Sequence, residues 1–352
     1  MSIHKNGSHS LKGHNANSVL SALMMMKTAT RKQLAQKTGL SQPTVNSIVQ
    51  ELEAGGVVQP GNFAASAGGR RPQCYTIKTD HLRAATIRVL SQSLEYVVVT
   101  VDGTIILRNT WAVPEDEGIM ASLCTLLATL LKQDTDIRVV SIGVPGVVGP
   151  GGMLYAIPQI PELEGVALVS ELNKLFSITI YVENDMNLVA LGSAAAQSAE
   201  SSATDMVFVH IGEGVGAGIV MGGQIIRGFS SFAGEIAFMP YPAEDIKKAE
   251  DKGQETLEYL LAQTTDIAKQ AKLISTMIIS IICILNPPVI SFGSKYASEE
   301  MLKYLRHECE KYLPHWTLPA FQLMPDEESS YDRGLMALVN DFLKNYITHE
   351  LV

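Results

Sequence analysis

The sequence predicts an α/β protein with a winged helix-turn-helix at its N-terminal end, and three observations lead there. Residues 1–80 carry nine Lys or Arg against three Asp or Glu, leaving 18 against 33 for residues 81–352. Two short helical patterns with capping signals and a glycine between them occupy positions 30–54. From His81 onward, strand patterns alternate with helical ones around a glycine-rich hairpin at 212–223, the pattern of an α/β body. A basic head on an acidic body calls for a polyanion partner at the head and a neutral or small partner at the body. At 352 residues, 46% hydrophobic and 18% charged, the chain is long enough for two or three folding units and is composed like a globular protein.

In the head, a polar start from Met1 to Asn15 is expected to fray, and Val19, Leu20, Leu23 and Met24 then recur at helical spacing. Thr30 stands three residues before Gln33, the pattern of a capping box, and opens a short helix through Leu34 and Ala35 that Gly39 ends. Ser41 caps the next helix, whose first turn tolerates Pro43 because that N–H has no intrahelical partner. Val45, Ile48, Val49 and Leu52 form its apolar stripe as far as Gly55-Gly56.

That stripe leaves Gln42, Pro43, Asn46, Ser47 and Gln50 on the opposite face. Gln and Asn are residue types that pair bidentately with adenine, while Ser41 and Thr44 can contact phosphate at the helix N-terminus. Arg31 and Lys32 lie where the preceding helix would cross the DNA backbone. Val57-Val58 and Cys74 to Ile77 read as two strands of a wing around a loop carrying Arg70 and Arg71. The competing reading is a three-helix unit with ordinary polar residues outside its core. The wing and the charge split favour duplex DNA.

In the body, Tyr96 to Val101 is expected to be a strand, with Asp102-Gly103 a hairpin turn into Thr104 to Leu107. A helix is expected over Met120 to Leu131, and strands over Val139 to Val144 and Ile178 to Val182. The second strand delivers Glu183-Asn184-Asp185 at its C-terminal end, where ligands sit in α/β sheets. Met206 to Ile211 leads into Gly212-Glu213-Gly214-Val215-Gly216-Ala217-Gly218, then Ile219 to Met221, the turn Gly222-Gly223, and Gln224 to Arg227. Backbone without side chains can approach a ligand closely in such a hairpin.

The N-terminus has no basic stretch leading into an apolar run and cleavage site, so a cytoplasmic protein is expected. The longest apolar stretch, Ile274 to Leu285, is too short to span a bilayer and stops at Asn286-Pro287-Pro288, so it reads as a buried helix rather than a membrane segment. Cys74, Cys124, Cys283 and Cys309 are far apart and are expected to be buried free thiols.

The ordered landmarks of the body resemble the ROK family, whose name abbreviates repressor, open reading frame, kinase. They are Gly143-Val144-Pro145-Gly146, Glu183-Asn184-Asp185-Met186-Asn187, the glycine hairpin, Gly228 through Ala233-Gly234-Glu235-Ile236, and Leu285-Asn286-Pro287-Pro288-Val289-Ile290. The head is similar to the winged helix of ROK repressors at Leu40-Ser41-Gln42-Pro43-Thr44-Val45 and Gly68-Gly69-Arg70-Arg71-Pro72. The resemblance implies a winged helix over residues 1–80 and, over 81–352, an actin-like (ribonuclease H-like) ROK sugar kinase fold. The two lobes would be roughly 81–195 and 196–352, with the C-terminal helix returning to the first.

Departures from the family pattern bear on activity. ROK kinases open their first strand with Asp-x-Gly-Gly-Thr, which holds ATP phosphates; ungapped alignment from Asp102-Gly103 puts Arg88-Val89-Leu90-Ser91-Gln92 there. Glu213 stands where kinases usually carry Thr, and its charge would repel a triphosphate. Loss of both clamps removes the positioning on which phosphoryl transfer depends, so no enzyme activity and no catalytic residue are expected.

The resemblance implies that Asn184, Asp185, Glu235 and Glu258 contact an effector, a sugar or sugar phosphate. Alternatives are a helix cap for Asn184 and Asp185, and plain surface for Glu235 and Glu258. The family's Gly-Glu-Ile-Gly-His reads Gly234-Glu235-Ile236-Ala237-Phe238 here, and Met239 to Glu255 contains no cysteine, so no zinc and no other cofactor are expected. Phe238 would narrow the cleft, change ligand class or fill the metal's space. The run Lys247 to Lys252 reads as a solvated helix face.

These features predict a regulator, a repressor of sugar-metabolism genes, acting as a homodimer or dimer of dimers on an inverted-repeat operator. Two alternatives are a sugar kinase with a regulatory head, using Asp185 as base, and a ligand-blind regulator controlled by a protein partner.

Overall fold

The computed structural model describes residues 6–63, 71–78, 82–100, 103–200, 205–212, 214–239, 257–262, 264–293, 296–324 and 326–350. Contacts divide the chain into one unit of residues 1–142, 171–181 and 338–352 and another of residues 143–170 and 182–337.

The head comprises α1 (Asn6–Met26), β1 (Ala29–Thr30), α2 (Arg31–Thr38), α3 (Gln42–Ala54), β2 (Val58–Phe63) and β3 (Gln73–Ile77). Contrary to the expected frayed start, α1 reaches back to Asn6. Val19, Leu20 and Leu23 are buried with Leu34, Val45 and Val49. The capping box forms as read: the Gln33 N–H donates to Thr30 Oγ1 at 3.3 Å and the Thr30 N–H to Gln33 Oε1 at 2.8 Å. Gly39 ends α2 in the left-handed region at φ 71°, its N–H donating to the Ala35 carbonyl. The three strands pair in the order β1-β3-β2, which gives the winged helix-turn-helix. β1, the two buried residues Ala29 and Thr30, the second of them the cap of α2, is a strand the sequence did not announce.

The first body sheet is built from β4 (Arg83–Val89), β5 (Ser93–Thr100), β6 (Ile105–Ala112), β7 (Ile137–Val144) and, beyond the short pair β8 (Val147–Val148) and β9 (Leu154–Tyr155), β10 (Thr179–Asn184). Its order is β10-β7-β4-β5-β6. Between β6 and β7 runs α4 (Ile119–Gln133), which buries Leu123, Leu126, Leu127 and Leu130 along one stripe. Asp102 of the expected turn lies outside the described residues, but β5 and β6 pair antiparallel on either side of it.

α5 (Leu168–Leu175) precedes β10, and α6 (Asp185–Glu200) starts directly where β10 ends. The second sheet then assembles from β11 (Met206–Gly212), β12 (Gly214–Met221), β13 (Gln224–Ile225), β14 (Val289–Gly293) and β15 (Ala320–Leu323), in the order β13-β12-β11-β14-β15. Helices α7 (Leu257–Ala262), α8 (Ile267–Leu285) and α9 (Glu299–Glu310) supply one face of its core, where Val207, Val209 and Ile211 meet Ile274, Ile278 and Leu305. The last helix, α10, covers Glu327–Glu350. On the α6 side, Gly218 lies so close to the Met186 carbonyl and the Ala190 side chain that any Cβ would collide with them. Absence of a side chain there lets α6 settle on β12.

Two sequence expectations need correction. The apolar helix is 19 residues, Ile267–Leu285, because Asp266 caps it eight residues before the apolar run begins, so its length and composition would suffice to cross a bilayer. Its buried stripe of Ile274, Met277, Ile278, Ile281 and Ile282 is nevertheless part of the sheet's core. The cysteines also differ from one another: Cys74 and Cys309 are buried, Cys124 is half-buried and Cys283 is exposed, because it falls on the outer face of α8. Burial pushes the Cys309 thiol up to about 12.

Candidate functional site

The candidate nucleic-acid interface starts from the caps. Ser41 Oγ accepts from the Thr44 N–H at 3.3 Å and lies 2.8 Å from Thr44 Oγ1, fixing the first turn of α3. Burying Val45, Ile48, Val49 and Leu52 leaves Ser41, Gln42, Pro43, Asn46, Ser47 and Gln50 exposed, with Thr44 half-buried. Lys32 is exposed as well. Arg31 is committed inside the head: its guanidinium carbon sits 4.9 Å from the Tyr75 ring centroid, and Nη2 is 3.9 Å from Glu53. It therefore ties α2 to β3 and α3 rather than standing free beside Lys32. Arg71 is exposed after the wing loop, and Arg70 lies outside the described residues.

The candidate effector site gathers at the junction of β10 and α6. Glu183, only 3% exposed at the end of β10, receives the Arg227 guanidinium through Nε at 2.8 Å and through Nη2. Its other oxygen accepts from Asn187 Nδ2 at 2.9 Å and from the Asn184 N–H at 3.0 Å. Asn184 Nδ2 donates to the Gly146 carbonyl at 2.7 Å, and its Oδ1 accepts from the Asn187 N–H at 3.1 Å. Asn184 is thus the cap of α6 and the tie to the Pro145-Gly146 turn. That is the cap alternative, although an amide retains further donor and acceptor capacity. Asp185 opens α6, where the free N–H groups of the first turn favour a negative charge.

Glu235 follows Gly234, whose φ of 100° and close approach to the Ala217 carbonyl both exclude a side chain. The Gly234 carbonyl accepts from the Ala217 N–H at 2.8 Å, pinning the loop after β13 to the glycine hairpin. Burial and then the negative charge of Asp185 raise the Glu235 carboxyl above the ordinary range. The structure therefore brings Asp185 and Glu235 into one electrostatic environment. The backbone of Glu258 falls in α7, and the position of its side chain lies outside what is described.

At the hairpin between β4 and β5, the Leu90 N–H donates to the Ser93 carbonyl at 2.9 Å, and Arg88 Nη1 is 3.7 Å from Glu95. Glu213 and the Lys247 to Lys252 run lie outside the described residues. At position 238 the residue present does not fit a zinc ion, because a phenyl ring has no donor atom. Among the described residues there is no group of three or more His, Cys, Asp or Glu able to hold a metal.

Three participants were missed from sequence. Glu183 stands in the Glu183-Asn184-Asp185 stretch with no signal of its own, and its partner Arg227 is 44 residues away. Phe232, whose ring centroid lies 5.2 Å from that of Phe238, belongs to a stretch that carries no periodic signal.

Comparison with known proteins agrees with this architecture. Residues 85–253 match the ROK family and residues 16–71 the MarR family. The xylose repressor of Caldicellulosiruptor bescii is 26% identical over 242 residues, covering 65% of this chain and 59% of that protein. The N-acetylglucosamine repressor of Escherichia coli O157:H7 is 24% identical over 217 residues, covering 59% and 52%. The matched stretches thus span just over half the length of these relatives. Among solved structures, a ROK family transcriptional regulator, described as a homologue of an Escherichia coli protein named MLC, superposes with a TM-score of 0.74 at 16% identity, covering 97% of this chain and 99% of its own. The ROK hexokinase of Thermus thermophilus superposes with a TM-score of 0.56 at 17% identity, covering 74% and 100%. These structural likenesses establish the fold.

Proposed function

For a chain in which a MarR-type winged helix precedes a ROK-family segment, we propose the function of a cytoplasmic DNA-binding transcription regulator, a repressor of sugar-metabolism genes released by a carbohydrate effector. The observation that carries the reading is the outer face of α3. Gln42, Asn46, Ser47 and Gln50 are exposed in a row on a helix whose opposite face is fully buried. Such a face matches the donor and acceptor edges of base pairs in a major groove. One winged helix covers a short half-site, so a homodimer, or a dimer of dimers, on an inverted repeat supplies the specificity.

Effector control follows from linkage. A sugar held by Asp185, Glu235, Asn184 and Glu258 releases DNA only by binding the DNA-incompetent arrangement more tightly, and a coupling of ~1–3 kcal/mol changes affinity about 5–150-fold. Carboxylates accept from neighbouring hydroxyls, which suits a polyol. The paired negative charge of Asp185 and Glu235 favours an unphosphorylated ring at that end of the site over a phosphate.

The kinase reading is the weaker one. Phosphate wrapping needs free backbone N–H groups, whereas the Leu90 N–H is already bonded to Ser93 and the Arg88–Glu95 pair stands two rungs along the same hairpin. The deciding experiment measures fluorescence anisotropy with duplexes from the chain's own promoter at low salt, then repeats it with sugars selected by thermal shift. Binding to one duplex and release by one sugar is the expected result. No binding to any promoter duplex at low ionic strength overturns the reading. Turnover of ATP with a sugar, abolished by Asp185→Asn, would establish the kinase alternative.

A further inference from the structure

The loop that carries Glu235 has a feature that the carboxylates alone do not explain. The Glu235 N–H donates to the Phe232 carbonyl at 3.3 Å, and the Phe238 N–H donates to the Glu235 carbonyl at 3.2 Å. Two successive three-residue turns therefore connect positions 232, 235 and 238. The outcome is visible in the rings: Phe232 and Phe238 meet at 5.2 Å with a 53° tilt, one on each side of Glu235 along the chain.

Both rings remain open, Phe232 at 48% and Phe238 at 69% exposure, while Ile236 beneath them is buried. Ordinary packing does not account for this arrangement, because the residue that anchors the turn is Ile236 and the phenyl groups stay outside the core. Exposing two phenyl rings forgoes the stabilisation that burying such side chains contributes. Between them in the chain stands the Glu235 carboxyl, on which the negative charge of Asp185 acts. An aromatic surface with a few placed polar groups is the usual lining of a small-molecule site.

We propose that Phe232 and Phe238 form the stacking platform of the effector site, taking the apolar C–H face of a neutral pyranose while Glu235 and Asp185 accept from its ring hydroxyls. This rests on the reading that the body binds a carbohydrate, and adds the class: an unphosphorylated six-membered sugar with one face of axial C–H groups. The electron-rich faces of the rings attract the slightly positive C–H hydrogens, and the carboxylates need the hydroxyls at the rim. A sugar with axial hydroxyls on that face would place oxygens against the rings and lose both contributions.

The test uses the full chain and a panel of unphosphorylated pyranoses with their epimers and 6-phosphates. It combines calorimetry with saturation-transfer NMR, which reports which sugar protons touch protein. The expected result is that one pyranose binds, that its C–H protons on a single face saturate most strongly, and that the 6-phosphate binds at least 10-fold more weakly. Phe238→Ala should weaken binding by 10-fold or more and erase the one-face pattern. Phe238→Tyr should stay within about threefold, and both variants should keep the parent's melting temperature and affinity for DNA. Unchanged affinity and saturation pattern in Phe238→Ala and Phe232→Ala, with the parent still binding the sugar, overturn the platform and leave the carbohydrate reading intact. Absence of binding by every sugar to the parent chain overturns both.

Discussion

Arg227 is the residue whose loss should reveal how the effector site is held. Glu183 is 3% exposed and its carboxylate faces four donors, two of them from the Arg227 guanidinium. Arg227→Met keeps much of the aliphatic stem and removes the charge, leaving Glu183 with Asn187 Nδ2 and the Asn184 N–H, both on the other oxygen. Removing one partner of a fully buried ion pair costs ~3–5 kcal/mol. The Arg227 side chain is 43% exposed, so water can reach the orphaned oxygen and the cost drops to about 2–3 kcal/mol. For a unit of this size, that lowers the melting temperature by roughly 4–12 °C.

The informative partner is Glu183→Gln in the Arg227→Met background. It removes the buried charge while keeping an acceptor for Asn187 and Asn184, so the double variant should recover most of the loss, leaving about 1 kcal/mol. Thermal melts and urea titrations followed by circular dichroism measure both. Arg227→Met melting within 1 °C of the parent, or a double variant no more stable than the single one, would refute the argument that this arginine neutralises a buried charge. Sugar affinity should fall in step with stability in this series, because Glu183 orients Asn184 and Asn187.

The remaining predictions concern charge. Arg70→Ala with Arg71→Ala should weaken DNA binding and reduce the slope of log affinity against log salt by about 1.8, since each phosphate contact contributes ~0.9; binding at several salt concentrations checks this. Glu235 has a raised carboxyl in the folded state, so the folded chain takes up a proton more readily than the unfolded one. Stability from this group is greatest below the ordinary value of 4.5 and is lost as pH rises through the raised one. Glu235→Gln should therefore be more stable than the parent at pH 7, with the difference vanishing at pH 4 and below, as denaturant titrations across that range would show.

Local chemistry made much of the head legible. A capping box, a serine cap with proline in the next turn and a glycine stop depend on neighbours three or four positions away, and Thr30, Ser41, Pro43 and Gly39 act in the structure as they read in the sequence. The same short range explains why Gly212 to Gly223 announced a hairpin. The positions of Asn184, Asp185 and Glu235 in the chain were equally plain, since each follows directly on a strand or turn signal.

What the sequence could not supply was the set of partners. Arg31 reads, with Lys32, as lying where the helix would cross the DNA backbone, and its guanidinium lies against the Tyr75 ring because β1 and β3 pair across 44 to 46 residues of chain. Glu183 and Arg227 are separated by 44 residues, and neither carries a signal that names the other. For Asn184, the cap bond to the Asn187 N–H depends on the register between the end of β10 and the start of α6, which no local signal gives. Phe232 and Phe238, six residues apart, meet across two consecutive turns joined at Glu235. Composition and spacing thus determined which elements exist and which chemical groups they offer. Only tertiary packing decided which charges are neutralised and which groups stay open to a ligand, because both depend on distances between residues remote in the chain.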